Sequence, residues 1–170
     1  MIQRSASFLN EWDQGIGKFK EAFRNIVLAK VSSSAYEAID FHYIRATDGI
    51  TLNIDRLISD AKSAAIQLAE RNYQIPDSEC KCKVIGITGH NIFRREIDRM
   101  RSAGLITDHD SKIAWKLAWI ICGGNVPSYS EVTQEYLLDL EREAFLSLCG
   151  ERKTLERIKS ILDGRKTIRN

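Results

Sequence analysis

The chain has 170 residues, 44% of them hydrophobic and 28% charged, with a formal net charge of +2. That is enough to bury a sizeable core in one domain, or one and a half, with the composition of an ordinary globular protein. The charges alternate rather than run in blocks, which excludes a polycationic tail, and no apolar run approaches the roughly 18 residues of a membrane span. Nothing resembles a signal peptide, so a reducing, cytoplasmic setting is the expectation.

In chain order, residues 1–14 are polar and lack a clear period. Lys18 to Lys30 reads as a helix with Phe19, Ala22, Phe23, Ile26 and Val27 on one face. Ser34 is placed to cap a second, short helix, and Glu37 three residues on completes a capping box. Asp48-Gly49 is a turn signal. Asn53 then caps a long helix from Ile54 to Arg71, in which Leu57, Ile58, Ala61, Ala64, Ala65 and Leu68 form the apolar stripe expected to be buried. Asn72 suits a left-handed stop. Residues 76–82 are the expected linker, dividing the chain into a first part, 1–75, and a helical second part, 83–170.

Val84 to Ile87 is a candidate strand, followed by a helix from Asn91 to Ala103 that Gly104 closes. Thr107 and Asp110 form a cap for the helix His109 to Cys122. That helix is apolar on nearly every side, as a central helix should be; only His109, Lys112 and Lys116 make a polar strip. Gly123-Gly124 ends it. After Pro127, Ser128 or Ser130 opens the longest pattern, Glu135 to Glu151. There Tyr136, Leu137, Leu140, Ala144 and Leu148 repeat at helical spacing, and Leu138, Phe145 and Cys149 widen the stripe. An arc that broad suits a helix covered on two sides. Gly150 stops it, and Thr154 to Gly164 bounds a last helix. The predicted fold is mainly α, a bundle of about seven helices with at most one or two short strands.

Few residues suggest chemistry. Projected at 100° per residue, Glu141 falls inside the apolar arc of the long helix, whereas Asp139, Arg142 and Glu143 fall on its polar side. A buried carboxylate must be paired, hydrogen-bonded or protonated; a structural ion pair is favoured over an acid/base role. Cys80 and Cys82 stand one residue apart, too close for a usual zinc knuckle, and Cys122 and Cys149 read as small core residues. Gly86-Ile-Thr-Gly89 lacks the further glycines or Lys-Ser/Thr of a phosphate loop and reads as a tight turn. His109 lies between Asp108 and Asp110, where carboxylates favour a helix start, so capping outweighs metal binding or proton transfer. Trp115 and Trp119, four apart, read as packing. Arg94, Arg95, Arg99 and Arg101, interrupted by Glu96 and Asp98, read as a solvated helix face. From these patterns no catalytic, cofactor-binding or metal-binding residue is assigned.

The wording of several stretches adds information that periodicity does not. Gly104 to Asp110 (GLITDHD), Ile113 to Ala118 (IAWKLA), Cys122-Gly-Gly124, Glu131-Val132, Glu135 to Glu151, Lys153-Thr154, Glu156-Arg-Ile158 and Arg169-Asn170 are the residues concerned. Ala29 to Ser33, Asp55 to Ile58 and Asp60 to Lys62 extend the likeness upstream. Over about residues 19–170 the chain resembles the C-terminal region of bacterial multidomain 3-hydroxyacyl-CoA dehydrogenases with an enoyl-CoA hydratase-like (crotonase-like) part. The resemblance implies a place in fatty-acid β-oxidation and lipid metabolism. It also shows what has no counterpart here: the NAD-binding glycine motif and the segments carrying the hydratase catalytic groups. The family's cofactor, NAD, and its acyl-CoA substrate are therefore not expected to be held by this chain alone, and no catalytic residue is carried over. In the stretch similar to the end of a crotonase core, the usual glycine is replaced around Asp40-Phe41-His42-Tyr43, which puts a left-handed backbone position in question. The expected partners are the remainder of such an enzyme, another subunit or a second copy. Nucleic acid and a membrane span are not expected. Two origins fit: a C-terminal domain separated from its enzyme, or a short gene product left by truncation. The alternative function is a self-contained helical interaction module.

Overall fold

In the computed structural model, which describes residues 12–75, 81–165 and 168–170, the fold is mainly helical. The described helices are α1 (Trp12–Val27), α2 (Ala35–Asp40), α3 (Leu57–Glu70), α4 (Ile87–Ser102), α5 (Asp108–Ile121), α6 (Gln134–Cys149) and α7 (Arg152–Leu162), with a 3₁₀ turn at Ile54–Arg56 before α3. Strands β1 (Lys81–Lys83) and β2 (Glu131–Thr133) pair antiparallel, with Cys82 opposite Val132. The residues group into two compact units, one of 1–31 with 81–170 and the other of 32–80. The expected division at 76–82 runs along the chain, whereas this grouping puts α1 with the C-terminal helices, because the Phe19/Phe23 face is buried in their core.

Side-chain caps set the starts of α2, α5 and α6, and left-handed residues close most of the helices. Thr107 Oγ1 accepts from the Asp110 amide at 3.1 Å and Asp110 Oδ2 accepts from the Thr107 amide at 2.9 Å, the reciprocal box the sequence predicts. At α2 the box is displaced: Ser34 accepts from the Glu37 amide, while the Glu37 carboxylate reaches back to Ser33. Asn72 takes φ +52 and closes α3 as a left-handed stop. α1 ends the same way at Ala29, φ +50, with the Lys30 amide donating to the Asn25 carbonyl. His42 has φ +58, so the left-handed position that the missing glycine put in question is retained by a histidine.

Several boundaries differ from expectation: α1 begins at Trp12 rather than Lys18, α7 at Arg152 rather than Thr154, and three further differences involve neighbouring segments. The strand forms at Lys81–Lys83, just before Val84 to Ile87, because β2 supplies its partner there. Since residues 131–133 are taken by β2, Thr133 rather than Ser128 or Ser130 caps α6, accepting from the Tyr136 amide at 3.2 Å. α4 begins at Ile87, so Gly89 lies inside its first turn rather than in a tight turn. A Cβ there would stand 2.6 Å from Cys122 Sγ. Gly86, φ +68, makes the turn into α4, and a Cβ on it would lie 2.4 Å from the Pro127 carbonyl oxygen. Cys80 and residues 1–11 lie outside the described residues.

The main core gathers Phe19 and Phe23 of α1, Phe93, Ile97 and Met100 of α4, and Ala114, Ala118 and Cys122 at α5. Phe23 and Phe93 are both fully buried, with ring centroids 4.6 Å apart. α5 is central, packing against α1, α4 and α6. A second cluster joins Cys82, Val84 and Val132 to Leu137 and Leu140 of α6. Cys122 is thus a core residue, as expected, and burial pushes its thiol up to about 12.

Phe93→Ala is expected to destabilise the chain by about 3–5 kcal/mol, the usual cost of truncating a buried phenylalanine. Leu138→Ala, at an exposed position, should stay within about 0.5 kcal/mol. Urea unfolding of both variants checks the contrast; equal losses would contradict this core assignment.

Candidate interaction surface

The long helix does not meet the expectation of cover on two sides. α6 buries Leu137, Leu140 and Ala144 against α5 and the small sheet, but Leu138, Phe145 and Leu146 are exposed. Glu141 is exposed too, so the expected buried carboxylate is corrected: its arc is apolar but uncovered, and no internal ion partner is called for. Between α5 and α6 the uncovered side chains form an apolar groove of about 450 Å³, lined by Ile113, Leu117, Ile120, Leu138, Phe145 and Leu148. Lys116, Glu141 and Arg142 border the same groove. An apolar channel edged by both signs of charge has a composition found at protein interfaces.

In the second unit the contrast with expectation is larger. None of the residues of α3 is buried, although Leu57, Ile58, Ala61, Ala64, Ala65 and Leu68 are spaced for burial. Ile58 is 83% exposed and Leu57 51%. Helices this short are marginal in water without tertiary packing, so a stripe left wholly open is unusual.

The remaining sequence candidates become structural. His109 is not on a solvent strip: it is 2% exposed, and its Nε2 lies 3.0 Å from Thr154 Oγ1 on α7. Asp110 accepts from Arg157 Nη1 at 2.7 Å. Arg157 continues to Asn170, with Nε donating to Oδ1 at 2.8 Å and Nη2 to the backbone oxygen at 3.2 Å. Thr107 Oγ1 donates to that backbone oxygen at 3.0 Å. This network fastens the start of α5 to α7 and the residue at 170. Lys112, also placed on the expected strip, pairs with Glu151. Trp115 and Trp119 are half-buried beside the two cores, in accord with packing.

Electrostatics follow burial. Burial, then the Arg157 charge, hold His109 below its ordinary value of 6.5. For Asp110, burial works upward, but the Thr107 amide and Arg157 outweigh it and hold the carboxyl below 3.8. On α4, Arg94, Arg95, Arg99 and Arg101 are exposed, but Glu96 between them is 5% exposed and not part of a solvated face. Its Oε1 lies 2.8 Å from Arg24 Nε and its Oε2 3.8 Å from Arg99 Nη1. The buried Glu96 is the feature sequence reading missed; its i,i+3 arginine was visible, but Arg24, 72 positions away, was not linked to it.

Among the described residues, no group of three or more His, Cys, Asp or Glu is placed to hold a metal ion, and no helix is long and apolar enough to cross a membrane. The chain is 45% identical over 150 residues to a probable 3-hydroxyacyl-CoA dehydrogenase of Bacillus subtilis (strain 168). The match covers 88% of this chain and 19% of that protein, so the chain spans about a fifth of the length of the curated relative it matches. No family model matches the chain, and no solved structure matches it.

Two outcomes follow from the network at the start of α5. Arg157→Ala leaves Asp110 as an unpaired, largely buried carboxylate and should cost about 3 kcal/mol in urea unfolding. A histidine depressed in the folded state is protonated first in the unfolded chain. Stability should therefore fall as pH drops below about 6.5 and level off once the folded pKa is passed. His109→Gln should flatten that part of the curve; an unchanged slope would assign it to other groups.

Proposed function

We propose that the chain is the C-terminal helical part of a fatty-acid β-oxidation enzyme of the 3-hydroxyacyl-CoA dehydrogenase and enoyl-CoA hydratase type. In this reading its role is structural: it completes the larger enzyme and carries contacts between domains or subunits, in the cytoplasm. NAD and the acyl-CoA substrate belong to the remainder of the enzyme, and chemistry is not performed by this chain alone. The observation that carries the reading is the open apolar groove between α5 and α6, with the uncovered stripe of α3 in support. A 45% identical stretch that makes up only 19% of a larger relative supplies an occupant for such faces: the rest of that enzyme.

A second reading, a self-contained interaction module, is favoured by one observation. The Phe19/Phe23 face of α1 is buried within the chain's own core rather than left open for a missing part. What occupies the α5–α6 groove therefore distinguishes the two readings.

The test uses the Bacillus subtilis relative with its matched stretch deleted, mixed with this chain. The two should co-migrate in gel filtration, and Phe145→Asp, at an exposed position, should abolish the association while leaving the chain folded by circular dichroism. The chain alone should form no NADH from a 3-hydroxyacyl-CoA. Appreciable turnover by the pure chain, or a monomer indifferent to the deleted relative, would overturn the assembly role.

A further inference from the structure

The chain carries two uncovered apolar faces of opposite shape, the groove between α5 and α6 and the ridge along α3. Their lengths correspond. At 1.5 Å per residue the α3 stripe from Leu57 to Leu68 runs about 17 Å, and the α6 wall from Leu138 to Leu148 about 15 Å. The middle of the stripe is Ala61, Ala64 and Ala65, so a helix presenting it can sit low between walls of larger side chains. Laying the apolar face of one helix into such a groove is a recurrent mode of protein recognition.

Charge makes the fit directional. Projected at 100° per residue, Asp60 lies along one edge of the α3 stripe and Lys62 along the other. Lys116 stands on the α5 edge of the groove and Glu141 on its α6 edge. α5 and α6 run antiparallel, since Lys112 pairs with Glu151 and Tyr136 donates to the Gly123 carbonyl. With α3 laid antiparallel to α6, Asp60 faces Lys116 and Lys62 faces Glu141; in the reverse direction each charge would face its like. Lys62, Lys116 and Glu141 have no ion partner among the described residues. Asp60 is already met by Arg56 at 3.3 Å, so Lys62 with Glu141 is the cleaner of the two contacts.

We propose that, in the chain by itself, α3 of a second copy fills the α5–α6 groove, and that the exchange is reciprocal and gives a two-fold dimer. Each copy has one ridge and one groove, so the reciprocal contact leaves neither uncovered. The inference rests on the reading of the groove as a docking surface and adds its occupant in the absence of a larger enzyme. The remainder of such an enzyme would have to displace α3 to enter.

Sedimentation velocity on the whole chain across the micromolar range should show monomer passing to dimer as concentration rises, with no larger species. Lys62→Glu should weaken the dimer about tenfold, because the contact is made twice and reversal replaces attraction by repulsion. Combining Lys62→Glu with Glu141→Lys should recover the original constant to within about threefold, a coupling that damage to folding in either single variant does not produce. Arg94→Glu, at an exposed position on α4, should leave the dimer unchanged. A monomer at every concentration would overturn the exchange, whether the groove then receives the remainder of an enzyme or another protein. Species larger than a dimer, or a double variant as weak as Lys62→Glu alone, would overturn it too. The assembly role fails separately: a monomer that binds the deleted relative sinks only the exchange, and a dimer that ignores that relative sinks only the assembly role.

Discussion

The arrangement depends on how closely other elements can approach α5. Ala114, Ala118 and Cys122 form a line of small side chains, each at most 1% exposed, along one side of the helix or just beyond its end. Small residues let neighbouring backbones close in, and the interior then has no room for more atoms. Gly89 shows how little is left, since a methyl group there would meet Cys122 Sγ. With α4 drawn against that line, Phe93 reaches Phe23 of α1, and the three helices share one core. Gly123, φ +81, turns the chain where a Cβ would stand 2.6 Å from Val84 Cγ2, which brings the strand segment under the same helix end.

That packing uses one side of α5 and leaves another to α6 alone. Ile113, Leu117 and Ile120 meet Leu138, Phe145 and Leu148 along a seam that closes at its floor and stays open at its top. The surface is built by residues that look, one helix at a time, like core. Its polar counterpart is the clasp of Asp110, Arg157, Thr107 and Asn170, which fixes α7 at the other end of α5. The start of the helix is held by hydrogen bonds around a buried ion pair, while its flank toward α6 keeps apolar surface exposed. Between α1 and α4 the buried Glu96 carboxylate, flanked by Arg24 and Arg99, adds a third, polar environment.

The functional evidence came from wording rather than from chemistry. No cluster of side chains in the sequence specifies a reaction, and none of the residues singled out for chemistry assembles with another into a site. His109 goes to Thr154, Asp110 to Arg157, and Glu141 to the rim of a groove. Resemblance over most of the chain, and a 45% identical stretch of a larger relative, are what support the proposed setting. The groove between α5 and α6 could not be read in advance, because it is lined from two separate helices.

The amino-acid sequence by itself determined where most helices stop, and where α2, α5 and the turn before α3 start. Those decisions are local: Thr107 and Asp110 are three residues apart, Asn53 accepts from the amide of Asp55, and Asn72 needs only its own backbone freedom. It also determined which residues share a face, since period is a property of one helix. Only the tertiary structure decided which faces are covered. Burial depends on what lies opposite, so Phe19 and Phe23 of α1 are sealed and Ile26 on the same helix is not, α3 and half of α6 are open, and Glu96 is enclosed while Glu141 is not. It also decided the start of α6, because the residues that precede Thr133 are claimed by a strand some 50 positions earlier in the chain. Pairing across such a distance leaves no local signature, and there sequence periodicity and structure part.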